Sequence, residues 1–275
     1  MLRFTKMQSL GNDFVLIDGV RQPFQLEFAQ IRRLAHRKTG IGFDQLLVAE
    51  PGRNGTDFSM RVFNTDGSEA EQCGNGARCF AKFLLDQGLT ERNKLVVQVV
   101  DRVIGLEIEE RQVIVDMGDP IFEPSAIPFN AVVTSPTYEL DVGGEMIEIF
   151  AVSFGNPHAV LMVKDVQTAE VDQVGPLIEN HPRFPNRTNV GFVEPCTRSK
   201  IRLRVWERGV GETLACGTGA CAATVACRRL GLVDDEIEVE LPGGIAKAMW
   251  TGAGSVFLSG PADTVYEGRF DPNRL

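Results

Sequence analysis

One short pattern occurs twice in the chain. Glu69-Ala-Glu-Gln-Cys73-Gly-Asn-Gly-Ala77 leads into the apolar run Arg78-Cys-Phe-Ala-Lys-Phe-Leu-Leu85, and Glu212-Thr-Leu-Ala-Cys216-Gly-Thr-Gly-Ala220 leads into Cys221-Ala-Ala-Thr-Val-Ala-Cys227. The two leading cysteines are 143 residues apart in a chain of 275. At that single offset Glu69 meets Glu212, Gly74 meets Gly217, Gly76 meets Gly219 and Ala77 meets Ala220. Gly88-Leu89 likewise meets Gly231-Leu232, where both helices are expected to stop. A lone Cys-Gly-x-Gly is most often a turn beside a structural cysteine. A copy half a chain away marks duplicated domains that each contribute one thiol. Cys79, Cys196, Cys221 and Cys227 have no counterpart at that offset and read as core or surface residues.

The duplication extends beyond the thiols. A helix is predicted over 26–38 with Phe28, Ile31, Leu34 and Ala35 on its buried face, and the same offset gives Val171, Val174, Leu177 and Ile178 in a helix over 169–180. Polar positions repeat too. Asn12 meets Asn156, Gln45 meets Asn189 and Glu50 meets Glu194 at an offset of 144, while Asn64 meets Glu207 at 143. Between these lie short alternating or β-branched segments joined by tight turns, which predict mostly antiparallel strands. The thiol helices are apolar on nearly every side, so each is expected to be buried all round by the curved sheet of its own half. The fold class expected is therefore α+β, with two pseudo-symmetric domains, each a mixed, largely antiparallel sheet wrapped around a central helix. Gly118-Asp119-Pro120 and Gly260-Pro261 read as hinges, giving a first domain of 1–117 plus 262–275 and a second of 118–261. The tail is expected to return as a strand to the first half, and the site to lie in the cleft between the halves.

Composition removes several classes. A net charge of −9 argues against nucleic acid or an anionic membrane surface as partner. The start, Met-Leu-Arg-Phe-Thr-Lys, has no apolar core of a signal peptide, and no apolar run is long enough to span a bilayer. The six cysteines lack the spacing of a secreted disulfide framework or a zinc site. A reducing, cytoplasmic setting is expected, with no metal.

The chemistry follows from helix ends. A helix N-terminus offers free N–H groups and partial positive charge, so a cysteine there is expected to have a lowered pKa. The flanking glycines leave backbone N–H groups open to a carboxylate. Two such ends facing one ligand would grip a carboxylate and set a thiol on each face of the carbon that bears it. That suits inversion at an α-carbon, with one thiolate removing the proton and the opposite thiol returning one. Glu207 and His158 are the candidates for deciding which thiol holds the proton. Alternatives are a proline or hydroxyproline racemase, which needs no polar site for a second amino-acid head, and a thiol redox protein cycling through a disulfide. A purely binding role would need the helix ends but no pair of thiols.

The motifs Leu10-Gly-Asn-Asp-Phe14, Gly42-Phe-Asp-Gln45, Asn64-Thr-Asp-Gly-Ser68, Gln72-Cys-Gly-Asn-Gly-Ala-Arg78, Gly155-Asn-Pro-His158, Glu207-Arg-Gly209 and Ala215-Cys-Gly-Thr-Gly-Ala-Cys221 closely resemble those of the diaminopimelate epimerases. The resemblance runs from Phe4 to Tyr266. It implies a cofactor-free isomerase that interconverts LL- and meso-diaminopimelate in lysine and peptidoglycan synthesis, with a diaminopimelate epimerase-like fold and a homodimer. It implies Cys73 as proton donor and Cys216 as proton acceptor, with His158 and Glu207 tuning them. Gly74, Asn75, Gly217 and Thr218 would hold the α-carboxylate through backbone N–H groups. Asn12, Gln45, Asn64, Asn156, Asn189, Glu207 and Arg208 would line the rest of the substrate, and Tyr266 would lie at the dimer interface. Three places depart from the usual pattern: Gln8-Ser9 stands where the family often has His-Gly, Thr218 replaces a common Ser, and 98–102 replaces a segment rich in Ser, Thr and Gly.

Overall fold

The structure is a computed structural model that describes residues 1–69, 74–100, 102–109 and 112–274. It divides into two units, one of Met1–Asp116 with Ser259–Leu275 and one of Met117–Leu258. The first carries strands β1 (Leu2–Ser9), β2 (Asn12–Asp18), β3 (Gln45–Pro51), β4 (Phe58–Asn64), β5 (Lys94–Val99), β6 (Arg102–Glu109) and β7 (Gln112–Asp116), with helices α1 (Phe28–Ala35) and α2 (Gly74–Asp86). The second carries β8 (Tyr138–Val142), β9 (Glu145–Ser153), β10 (Pro157–Met162), α3 (Val171–Glu179), β11 (Asn189–Thr197), β12 (Lys200–Glu207), β13 (Gly211–Thr213), α4 (Gly217–Arg229), β14 (Glu236–Leu241) and β15 (Gly244–Met249). Strand β16 (Phe257–Gly260) precedes β17 (Asp263–Phe270).

In the first unit β17 and β1, and then β1 and β2, are antiparallel; β2 and β3 are parallel; β3 and β4 antiparallel; β4 and β5 parallel; β5, β6 and β7 antiparallel. The second unit repeats the series: β8, β9 and β10 antiparallel, β10 and β11 parallel, β11 and β12 antiparallel, β12 and β14 parallel, β14 and β15 antiparallel. The tail strand β17 thus does for β1 what β8 does for β9. The two units share one α+β architecture, a mixed, largely antiparallel sheet around a central helix.

Each sheet is covered on both faces. Val15, Ile17, Leu46 and Val48 join Ile31 and Leu34 of α1 in one apolar cluster. Their neighbours Phe14, Leu16, Leu47 and Ala49 point the other way, because strand side chains alternate, and they too are buried. On that other side α2 packs against β1, β2, β3, β6 and β7. In the second unit Ala159, Leu161, Val190 and Phe192 cluster with Val171 and Ile178 of α3, while α4 packs against β9, β10, β11, β12, β14 and β15. Both thiol helices are sheathed as their all-round apolar sequence predicts. No helix among the described residues is long and apolar enough to cross a membrane.

The outer helices differ from expectation. Helix α1 is shorter than the predicted 26–38. Gln30 caps the Glu27 N–H at its start, and past its end the His36 ring accepts the Thr39 N–H, which draws the chain out of the helix. Phe28, expected on the buried face, is 65% exposed, since the cluster under α1 begins only at Ile31. Leu177, also expected inside, is 54% exposed. Helix α3 has rolled so that Gly175 faces the sheet; a Cβ there would come within 2.7 Å of the Trp206 ring, an approach that only glycine permits.

Candidate active site

In the second unit the residues singled out by sequence converge at the N-terminus of α4. Cys216 is the residue before the helix, in an extended conformation, and is buried. Its sulfur lies 3.7 Å from the Thr218 hydroxyl. At Gly219 the backbone comes close: a Cβ there would sit 3.2 Å from that sulfur, tight enough that the neighbours would have to give by a few tenths of an ångström. The Asn156 amide donates to Thr218 Oγ1 at 3.2 Å, and its oxygen lies 3.3 Å from His158 Nε2. That oxygen can only accept, so the contact is a hydrogen bond in the tautomer that carries the His158 proton on Nε2. The side chain of Asn189 bridges two loops, donating to the Pro157 carbonyl (3.1 Å) and accepting the Arg208 N–H (2.9 Å). His158 and Asn189 face each other across the parallel β10–β11 pair. Glu207 ends β12 and accepts the Thr213 hydroxyl at 2.5 Å. Arg208 is exposed, with Nη1 donating to the Asn186 carbonyl at 3.2 Å.

The electrostatics correct one expectation. The Cys216 thiol is not lowered but pushed well above its usual pKa. Burial is the largest cause, and the neighbouring Glu207 carboxylate adds to it by charge. The Gly219 N–H at the helix start and the Thr218 hydroxyl pull the other way and lose. The helix end does favour thiolate, as its dipole requires, but loss of solvation outweighs it. His158 moves down, to about 3, through its burial and the positive charge of Arg208. It is neutral at physiological pH and brings no charge to a thiolate.

The first unit holds a corresponding set of residues. Gly74 begins α2; Cys73 and the rest of 70–73 lie outside the described residues. Asn75 is buried in the first turn of α2, and its amide donates to Asn12 Oδ1 at 3.3 Å. Asn12 donates onward to Asp44 at 2.6 Å, and Asp44 also accepts from Arg37 at 2.6 Å. Arg78, fully buried, donates to Asn75 Oδ1 at 2.7 Å and to Ser9 Oγ at 2.8 Å, and Ser9 donates to the Pro261 carbonyl. These bonds fix which way each amide points, because Arg78 can only donate and Asp44, with its pair of oxygens, accepts. Gln45 and Asn64 face each other across β3 and β4 and share a 3.1 Å hydrogen bond. Tyr266 is exposed on β17, edge-on to Phe4.

Sequence reading passed over Thr213 and Asp44. Asp44 stood inside a quoted motif beside Gln45, a signal that was there to use; Thr213 lay within the second copy of the repeat but falls on Ala70 in the first, so the repeat gave it no polar counterpart. The departures at 8–9 now have a physical account. Gln8 reaches Asp263 and the Gly11 N–H, while Ser9 is the hydroxyl that holds Arg78. Gln98 closes the β5–β6 turn by donating to the carbonyls of Val100 and Arg102.

This architecture is shared with known proteins. A PhzF-family phenazine biosynthesis protein from Bacillus anthracis superposes with a TM-score of 0.71 at 16% identity, covering 97% of this chain and 98% of that one. A hydroxyproline epimerase from Agrobacterium vitis gives 0.70 at 14% identity, covering 97% and 91%. At such identities these define the fold alone. The sequence narrows it. The family model described as diaminopimelate epimerase matches residues 4–123 and 150–265. The diaminopimelate epimerase of Stutzerimonas stutzeri (strain A1501) is 52% identical over 272 residues, 98% of this chain and 99% of that protein. That of Laribacter hongkongensis (strain HLHK9) is 54% identical over 272 residues, covering 97% and 98%. The chain belongs to the diaminopimelate epimerase family and is an isomerase.

Proposed function

We propose that this enzyme interconverts LL- and meso-diaminopimelate by moving one proton off, and another onto, a single α-carbon, with Cys73 and Cys216 as the acid/base pair. The observation that carries the reading is the seating of Cys216 before a helix buried from Gly217 to Cys227, with Glu207 beside it, in a chain of this family. One thiolate takes the α-proton, the bonding pair moves into the substrate carboxylate, and the other thiol protonates the opposite face. The thiol and thiolate have then exchanged places, and the reverse reaction runs the same path. Backbone N–H groups of Gly74, Asn75, Gly217 and Thr218 hold the carboxylate and stabilise the charge it gains. The raised pKa of Cys216 favours its thiol form in the resting enzyme. That thiol is the donor in one direction; having given up its proton it is the acceptor in the other, and Glu207 sets that balance. Asn12, Gln45, Asn64, Asn156 and Asn189 line the substrate. Arg208 takes the distal carboxylate through the forked donors of its guanidinium. A homodimer with Tyr266 at its interface, acting in the cytoplasm, completes the reading.

Incubation with LL-diaminopimelate in deuterium oxide should place deuterium at the inverted carbon. Cys73→Ala and Cys216→Ala should each lower turnover by roughly 10²–10⁴-fold, the usual worth of a positioned acid or base. Full turnover by either variant would overturn the two-thiol mechanism.

A further inference from the structure

Glu179, the last residue of α3, is a carboxylate buried to 5% exposure. One oxygen accepts the Trp206 indole N–H at 2.7 Å and the other accepts the Gly209 backbone N–H at 2.8 Å. Trp206 and Gly209 are the residues immediately before and after Glu207-Arg208. One buried charge therefore grips both ends of that dipeptide.

The surroundings reinforce the grip. Arg187 pairs with Glu179 at 3.2 Å and lays its guanidinium nitrogens 3.7 Å from where a Cβ on Gly209 would stand. Arg187 holds φ at +59°, a left-handed conformation that is strained for a non-glycine residue. Strain of that kind persists only where the surrounding contacts overdetermine it. The Asn186 carbonyl holds the Arg208 guanidinium and Asn189 holds its backbone N–H. Among the described residues the first unit shows no such device at the equivalent positions. At the same offset Glu179 falls on His36, which is exposed, and Arg208 falls on Thr65, in an exposed turn.

We propose that Glu179, with Arg187, is a positioning residue that fixes the turn at Arg208 for the distal carboxylate of the substrate. This rests on the reading of Arg208 given above. The carboxylate matters because both of its oxygens accept. In Glu179→Gln the amide nitrogen must face one of two N–H donors, and the turn shifts to relieve it.

Steady-state kinetics with diaminopimelate on Glu179→Gln, Arg187→Asn, Arg208→Lys and the Glu179→Gln/Arg208→Lys double variant test this. Glu179→Gln should raise KM about tenfold with kcat within about threefold, the mark of lost binding rather than lost chemistry. The double variant should raise KM no further than the larger single change, since both act through one contact. Arg187→Asn relieves the backbone strain, because asparagine tolerates this conformation, so its melting temperature should hold or rise while KM rises. If Arg208→Lys raises KM but neither Glu179→Gln nor Arg187→Asn does, the inference falls and the Arg208 reading stands. If Arg208→Lys leaves KM unchanged, the reading of Arg208 itself is at fault. Multiplied effects in the double variant would also overturn the inference. Should Glu179→Gln not fold, Arg187→Asn decides.

Discussion

At the scale of single residues, Cys216 is a contest between two fields. The helix start favours its anion, and burial with the Glu207 charge favours the thiol and wins. Glu207→Gln removes one of the two forces raising it. Thiolate absorbance should therefore appear at lower pH in that variant than in the parent, and an unchanged titration would show that Glu207 does not tune the sulfur. His158 makes a stability prediction. Its pKa falls from 6.5 to about 3 on folding. Above pH 6.5 both states are neutral there. As pH falls from there toward 3, the unfolded chain takes a proton that the folded one refuses, so stability declines by up to about 1.4 kcal/mol per pH unit. Asp13 acts lower down. Burial opposes ionisation, but the Arg37 and Lys6 hydrogen bonds and charges hold it at about 2, so its contribution is present above 3.8 and lost as pH falls through 2. Urea midpoints of His158→Gln should lose the slope between pH 6.5 and 4 and keep the loss at lower pH.

At the scale of elements, each thiol helix offers its own test. The start of α4 is fitted by close approach. Gly219→Ala should fold well, since alanine is worth about 1 kcal/mol more than glycine inside a helix. Its methyl would crowd the Cys216 sulfur and Val205 at 3.2 and 3.0 Å, so kcat should fall at least tenfold at nearly constant melting temperature. The first turn of α2 is held by Arg78. Arg78→Met strips hydrogen bonds from buried Ser9 and Asn75 and should cost roughly 2–4 kcal/mol in denaturant unfolding. A paired detail recurs in both units: Arg61 binds Glu69 at 2.9 Å and Arg204 binds Glu212 at 2.6 Å, each tying a strand to the segment before a thiol helix. The glutamates and the arginines both recur at the offset of 143, but that each arginine pairs with its glutamate became visible only in the structure.

At the scale of the whole chain, the C-terminal strand belongs with the first residues. β17 pairs along the length of β1, from Leu2 opposite Phe270 to Gln8 opposite Asp263. Truncation after Gly260 would leave β1 as an open edge and take away the Pro261 carbonyl that Ser9 holds. Such a chain should lose cooperative unfolding of the first unit while the second keeps its protease resistance. Equal resistance of both units would show that β17 is dispensable.

The repeat spacing was enough to read the duplication, the α+β class, the two buried helices and the amide positions 12, 45, 156 and 189, because each is a matter of periodicity or of position along the chain. Phe28 and Leu177 defeated the same logic: a hydrophobic face says what a helix can bury, not where its neighbours end. The roll of α3 was settled by Gly175 against Trp206, and the state of Cys216 by how far solvent is excluded. Glu179 looked like an ordinary charged helix end. Its partners lie about thirty residues onward in the chain, and only tertiary packing brings one carboxylate against both. The sequence determined which groups the protein has and in what order they come. Desolvation and contact decided their charge and their partners, since both depend on what lies within a few ångströms in space.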